Sequence, residues 1–407
     1  MSDRLRRRLT DLVAVPSPTG SEHAAADLVA AWLRDDGADE VDRWDAEMAE
    51  LEADPAYPGR EVERPEVPVV AARATGRRPG PTVVLTGHLD TVGVGDPDRW
   101  SRDPFGAEIV GDRLHGRGAC DMKAGVVAAV EAFAAIAGGS RDFGGEVRFV
   151  GVAGEEDGGT GTLAAIRRGW VGDAVILTEP TSGDVVTAHG GALTFSVDVE
   201  GRSAHGSAPG GGVSALDRFI ALRPVFDELE RAANEGIADR RMTALGLPHA
   251  TTIGIVRGGT WASNVMETLH AEVRVGVRLD ETVAEAATRF SAGLLAGART
   301  ADPWFVDHPP RVTLSGARFA SSSIAEDHHV VRAVRDAAET VTGRRPDSVG
   351  APYGCDMALW IDAGGCDAVV YGPGDVSAAH APDEWVSLEQ TATVTDVLVD
   401  AVGRLLT

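Results

Sequence analysis

The stretch that decides the fold is VVLTGHLDTV, residues 83–92. Its apolar, β-branched run predicts a strand that ends near Gly87, after which the chain presents His88 and then Asp90. Residues i and i+2 can lie on the same side of a strand end, so Asp90 can accept the second ring N–H of His88. Such a pair fixes the histidine tautomer and frees the other ring nitrogen for a metal ion. Taken alone, however, His-x-Asp is more typical of a histidine packed beneath a loop.

Four further stretches place metal-ligating side chains after predicted strands or glycine-rich loops. GRGACDMKAG carries Asp121, GEEDGG carries Glu155 and Glu156, TEPT carries Glu179, and AHAPDE carries His380. Open α/β sheets build their sites where strands end, so these side chains are expected to converge. Two histidines and several carboxylates fit zinc or manganese better than an iron–sulfur or thiolate site.

In this order and combination, the motifs resemble a family of dinuclear zinc metallopeptidases. That family includes acetylornithine deacetylase, succinyl-diaminopimelate desuccinylase, aminoacylase and glutamate carboxypeptidase, and the resemblance runs from about residue 15 to the C-terminus. It implies two divalent metal ions, with zinc preferred and cobalt or manganese as alternatives. The ligands it implies are His88 and Glu179 for one ion, Glu156 and His380 for the other, and Asp121 as the bridge between them.

The resemblance also implies catalytic roles for residues beside the ligands. Glu155 would be the general base that takes a proton from water and passes it to the leaving amine. Asp90 would orient His88. Adjacent glutamates can serve both needs, because neighbouring side chains on a loop can point in different directions. Without the other motifs, EED at 155–157 is more typical of an acidic turn.

A second set of candidate residues lies in the middle of the chain. His205, in GRSAHGS, matches a family histidine that crosses a dimer interface and stabilises the oxyanion of the tetrahedral intermediate. Asn264 resembles a substrate-contacting asparagine, although the proline expected shortly after it is absent. Arg274 and Arg278 are both candidates for binding a substrate carboxylate. Cys355 stands where the family commonly has Ser or Thr before an aspartate, so the choice of substrate stays open.

The order of predicted elements indicates an α/β protein with an insertion. Alternating strands and helices up to about residue 178 predict a mostly parallel sheet. A β-α-β-β-α-β order then predicts a ferredoxin-like α+β insert, which resembles the family's lid and dimerisation domain. The predicted domains are 1–189 with 318–407, which would bind metal and catalyse, and 190–317, which would form the lid and a homodimer interface. Residues 45–68 are charged, rich in proline and without a clear period, so they are expected to form an exposed excursion.

Composition limits the partners and the compartment. The chain has 407 residues, of which 43% are hydrophobic, enough for a large core and more than one domain. A net charge of −24 argues against nucleic acid or an anionic membrane as a partner. The sequence contains no apolar run of the length that spans a membrane, about 18 residues or more. Three cysteines are a sparse and odd set, which favours a reducing cytoplasm.

The predicted function is hydrolysis of the amide bond of an N-acyl amino acid at a two-metal centre with a glutamate base. The segment GGTGTL after the glutamates resembles the branch of acetylornithine deacetylase, which favours deacylation. A dipeptidase or carboxypeptidase acting on a short peptide is the alternative with the same centre. A catalytically silent binding protein is a third possibility, and the presence of Glu155 beside all five ligands argues against it.

Overall fold

A computed structural model of the protein describes residues 2–407, which divide into two compact units. The first unit runs up to Thr187 and also contains Ser323–Val349 and Cys355–Thr407. The second contains Ala188–Ser322 and Gly350–Gly354. The functions predicted for the two domains remain predictions. Within residues 2–407, none of the helices has both the length and the apolar character needed to cross a membrane.

Strands and helices alternate through much of the described chain. The strands are β1 Glu40–Glu47, β2 Glu66–Thr75, β3 Arg78–His88, β4 Glu108–Val110, β5 Arg113–His115, β6 Gly144–Val152, β7 Ala174–Leu177, β8 Val185–His189, β9 Gly191–Glu200, β10 Thr251–Gly258, β11 Thr268–Val277, β12 Arg311–Phe319, β13 Ser322–Ser323, β14 Ser348–Ala351, β15 Asp367–Val370 and β16 Trp385–Ser387. The α-helices are α1 Asp3–Val13, α2 His23–Asp35, α3 Met48–Glu52, α4 Ala124–Ala137, α5 Thr160–Arg167, α6 Ala215–Ala221, α7 Arg223–Ala233, α8 Arg240–Thr243, α9 Val283–Ala301, α10 Trp304–Asp307, α11 His329–Thr342, α12 Met357–Asp362 and α13 Leu388–Leu405.

The large sheet has a parallel centre. Within the first unit its order is β1-β2-β6-β3-β7-β15-β8. The four central strands β6, β3, β7 and β15 are parallel to one another, whereas β1, β2 and β8 pair antiparallel at the flanks. Central parallel strands are covered on both faces, which explains the continuous apolar run of β3 rather than an alternating one. The predicted α/β class with a central parallel sheet is confirmed.

The second unit has the predicted β-α-β-β-α-β order. Its antiparallel sheet runs β10-β11-β9-β12, and its longest helix, α9, begins with a capping box formed by Thr282 and Glu285. The aromatic rings of Phe195, Phe226 and Phe290 pack together in the core between sheet and helices. The alternating pattern of β9 therefore buries one face against α6 and α9, as a half-exposed strand should.

The expectation of an exposed excursion at residues 45–68 is only partly correct. Residues 53–65 lie outside the strands and helices, and many of them are exposed, but other parts of the segment are packed. β1 pairs with β2 along its whole length, and α3 buries Met48 and Leu51. Arg64 is also buried, and forms ion pairs with two buried carboxylates. The segment shows no hydrophobic period because β1 is a partly exposed edge strand. Beyond β1, ion pairs such as those of Arg64 hold the chain in place without apolar side chains.

Candidate metal centre

Three neighbouring parallel strands deliver three of the five predicted metal ligands, together with Glu155, to one edge of the sheet. His88 is the last residue of β3, and in the register it lies opposite Val152, the last residue of β6. Glu155 and Glu156 follow β6 after a short turn. Glu179 follows β7, which pairs with β3 on its other side. The strand ends therefore determine where these side chains meet.

Asp121 comes to the same edge through close backbone contacts at two glycines. A Cβ on Gly125, in the first turn of α4, would collide with the main-chain oxygen of Thr178. A Cβ on Gly87 would lie 2.7 Å from the methyl carbon of Met122. Because neither position carries a Cβ, the segment before α4 can pack directly against the ends of β3 and β7.

Five of the predicted residues form two groups that share Asp121. In the first group, Nε2 of His88 lies 3.1 Å from Oδ1 of Asp121 and 3.7 Å from Oε2 of Glu179. In the second, Nε2 of His380 lies 3.4 Å from Oδ2 of Asp121 and 3.2 Å from Oε2 of Glu156. Within each group the candidate ligand atoms lie within 4.8 Å of one another.

Burial makes this cluster of carboxylates electrostatically unfavourable without added positive charge. Burial raises the pKa of Glu179 to about 7 and raises the pKa values of Glu155 and Glu156. Hydrogen bonds to Asp121 and Glu156 raise the pKa of His380 to about 10. Oε1 of Glu156 is buried without a hydrogen-bond partner in the described part of the chain. An imidazole-and-carboxylate donor set with an unsatisfied oxygen fits divalent cations.

Asp90 contacts His88 differently from the sequence prediction. Nδ1 of His88 lies 2.9 Å from the main-chain oxygen of Asp90, whereas the nearest carboxylate oxygen, Oδ1, is 3.7 Å away. The carboxylate instead accepts the main-chain N–H groups of Glu155 and Glu156, at 3.3 and 3.1 Å. Asp90 is therefore placed to fix the ring of His88 with its backbone and the glutamate loop with its side chain.

Comparisons with known proteins identify the family of the chain. The family model described as peptidase family M20/M25/M40 matches residues 84–404. The chain belongs to this peptidase family. It is 33% identical over 335 residues to N-acetyl-L-citrulline deacetylase of Xanthomonas campestris pv. campestris, covering 80% of this chain and 81% of that protein.

Two further relatives cover nearly the whole chain. A deformylase of N-formyl-4-amino-5-aminomethyl-2-methylpyrimidine from Halalkalibacterium halodurans is 24% identical, with 95% of this chain and 91% of that protein covered. The solved structure of the M20 family metallo-carboxypeptidase Sso-CP2 from Sulfolobus solfataricus superposes with a TM-score of 0.76 at 16% identity, covering 100% of this chain and 99% of that one. This M20 chain is accordingly a metal-dependent hydrolase of the kind that acts on acyl amino acids or peptides.

A buried ionic cluster that no sequence pattern indicated lies at the glutamate loop of the M20 chain. Arg64 donates to Oδ1 of Asp157 at 2.5 Å, to Oε1 of Glu22 at 3.3 Å and to Oγ1 of Thr160 at 3.1 Å. Asp157 directly follows Glu156, so these bonds anchor the loop that carries both glutamates. Arg64 lies in the segment expected to be exposed, and its partners are distant in sequence, so no local pattern could have identified it.

The remaining predicted residues of the M20 chain lie in the second unit, where two of them meet. His205 and Asn264 form an antiparallel bridge, and Nδ1 of His205 lies 2.7 Å from Oγ of Ser207. Arg278 is engaged by both carboxylate oxygens of Asp280, at 2.8 and 2.9 Å. Arg274 donates to the main-chain oxygen of Pro352 at 3.2 Å, and no carboxylate lies in ion-pair range of it among residues 2–407. Of the two arginines, Arg274 is therefore the better candidate to meet an external carboxylate.

Proposed function

We propose that the chain hydrolyses the amide bond of an N-acyl amino acid with two bound divalent metal ions as cofactors. Zinc is the preferred metal. His88 and Glu179 would hold one ion, and Glu156 and His380 the other. The observation that carries the proposal is that the two oxygens of Asp121 face different histidines, at 3.1 and 3.4 Å. A carboxylate in this position can serve both ions at once.

Glu155 is the proposed general base. It belongs to neither ligand group, and its Oε2 lies 4.0 Å from Nε2 of His88. Two bound divalent ions would supply an activated water and polarise the scissile carbonyl. Glu155 would accept the proton of that water and return it to the leaving amine.

Residues of the second unit are proposed to recognise the substrate. Arg274 would pair with the carboxylate of the amino acid, and Asn264 would contact the substrate. His205 would stabilise the oxyanion in the site of a second copy, which makes the active species a homodimer. The exposed position of His205 supports this role, since an exposed side chain is free to reach a neighbouring protein. The three cysteines are all buried and free, which supports a reducing, cytoplasmic setting.

Deacylation is preferred over peptide cleavage because the relative with 33% identity over four-fifths of the chain is named as a deacetylase. The similar fold of a metallo-carboxypeptidase keeps dipeptidase or carboxypeptidase activity as the second candidate. Relatives with one fold often differ in substrate, so the choice requires measurement.

A substrate screen tests the proposal. Protein loaded with zinc, cobalt or manganese is assayed against acetyl-, succinyl- and formyl-amino acids and against dipeptides, with chelated protein as the blank. We expect metal-dependent release of an amino acid from at least one N-acyl substrate. Turnover of dipeptides alone would favour the second candidate, and metal binding without any turnover would favour a silent binding protein.

A further inference from the structure

The side chain of Glu384 lies against the segment that carries Asp121. It is 1% exposed. Its Oε1 accepts the main-chain N–H groups of Cys120 and Asp121, at 2.8 and 3.0 Å. Its Oε2 accepts from Nη1 of Arg117 at 2.6 Å.

The segment around Asp121 needs such an acceptor because it is not regular. Asp121 and Met122 have non-helical backbone angles immediately before α4, and Gly118 has a positive φ of 81°. The N–H groups of Cys120 and Asp121 lie before α4, where no preceding helical turn offers carbonyl acceptors, so they need acceptors from elsewhere in the fold. Buried N–H groups without an acceptor are costly, so the carboxylate of Glu384 favours this particular path of the backbone.

A small sheet holds the two segments in register. β16 pairs antiparallel with β5 so that Trp385 lies opposite His115, and the main-chain oxygen of Glu384 accepts the N–H of Gly116 at 2.9 Å. Glu384 lies four residues after His380. Glu384 thus connects the segment that carries Asp121 with the segment that carries His380.

Arg117 keeps Glu384 in place as a charged acceptor. Arg117 is itself buried and lies over the ring of Trp100, with 5.0 Å from its guanidinium carbon to the ring centroid. A carboxylate paired with a fixed guanidinium forms strong, directional hydrogen bonds. The negative charge of Glu384 is therefore directed at Arg117 and the two main-chain N–H groups.

We infer that Glu384 is a positioning residue, which holds the backbone of Asp121 so that its two carboxylate oxygens face His88 and His380. The inference rests on the proposed two-metal centre. Changing a group that supports metal ligands in this way commonly weakens metal binding by roughly 10- to 100-fold. A loss of that size is expected for both ions when Glu384 is changed, because Asp121 belongs to both groups.

The test compares Glu384→Gln with Glu131→Gln. Glu131 is a matched control because it is also a buried carboxylate that accepts a hydrogen bond from an arginine, Nη1 of Arg8, at 2.8 Å. Its other partner is Arg4, and both arginines lie on α1, away from the ligand groups. Zinc affinity is measured by competition with a chromophoric chelator, and thermal stability is measured on the same metal-free samples. We expect both variants to lower Tm, and Glu384→Gln alone to weaken zinc binding, by about 10- to 100-fold.

The zinc affinities of the two variants decide whether the inference on Glu384 holds. Unchanged affinity in a folded Glu384→Gln protein, or an equal loss in Glu131→Gln, would overturn the inference. If Glu384→Gln does not fold, Arg117→Lys is measured in the same assay, because this variant keeps the positive charge but loses the guanidinium geometry. A weaker zinc affinity of Arg117→Lys supports the inference, and an unchanged affinity overturns it. A wild-type protein that binds no zinc would instead count against the proposed function.

Discussion

The two ligand groups that share Asp121 differ in their exposure to solvent. In the first, the side chains of His88 and Glu179 are 1% and 7% exposed. In the second, Glu156 is 8% exposed but His380 is 52% exposed. An ion in the first group would be enclosed by protein, whereas an ion in the second would be reachable from solvent.

The two groups are also supported by different kinds of structure. His88 and Glu179 follow adjacent parallel strands at the centre of the sheet. His380 lies on a loop, in a left-handed backbone conformation with a φ of 58°. A buried sheet resists local opening more than an exposed loop does. One half of the centre is therefore built into the core of the fold, while the other half depends on loop contacts such as those of Glu384.

The largest effect is expected when the shared ligand is removed. Asp121→Ala deletes both oxygens that face the histidines, so both groups should lose their ion despite their different burial. Metal content after gel filtration, measured by elemental analysis, should fall from about two ions per chain to nearly none. Retention of one tightly bound ion would mean that Asp121 serves one group and does not bridge.

The next largest effect is expected at Glu155. Glu155→Gln keeps the size of the side chain but cannot accept a proton, so kcat should fall by roughly 10²- to 10⁴-fold. Metal content should stay near that of the wild type. Glu156→Gln is the matched variant and should lose metal from the exposed group, with partial recovery in excess metal. If added metal restores Glu155→Gln but not Glu156→Gln, the two roles are reversed.

The third prediction separates the two groups directly. His380→Ala should yield protein that keeps one ion through dialysis against a weak chelator, because the buried group is intact. Excess metal should restore part of its activity. His88→Ala should lose its ion from a buried site and should not recover in the same way. Equal behaviour of the two variants would show that burial does not control metal retention here.

The most gradual effect, about tenfold per pH unit, is a pH dependence of metal binding by the exposed group. Hydrogen bonds to Asp121 and Glu156 raise the pKa of His380 in the metal-free protein from 6.5 to about 10. A metal ion must displace that proton, so apparent affinity should rise by about tenfold per pH unit between these values. The sign for stability is opposite: the protonated histidine stabilises the metal-free protein below pH 6.5, and this contribution is lost as pH rises toward 10. Chelator competition and thermal melts at several pH values check both slopes, and His380→Ala should flatten them.

Much of the fold and of the candidate centre could be predicted from the sequence. The continuous apolar run of β3 correctly indicated a buried parallel strand. The alternating run of β9 correctly indicated a strand with one buried face. The ligand candidates could be named because their motifs, in this order, resemble those of a known family, and because most of them follow a predicted strand or a glycine-rich loop. The order β2-β6-β3 could not be predicted, because strands consecutive in sequence need not be neighbours in a sheet.

From the sequence alone, the order and combination of the motifs, and their resemblance to a known family, predicted which residues carry the chemistry, and those roles remain predictions. How these residues are held could be seen only in the folded chain. It showed that Asp90 contacts His88 through its main-chain oxygen, that Arg64 is buried, and that Glu384 binds the backbone at Asp121. These contacts join residues far apart in the chain, and their formation depends on three-dimensional packing that no local sequence pattern records.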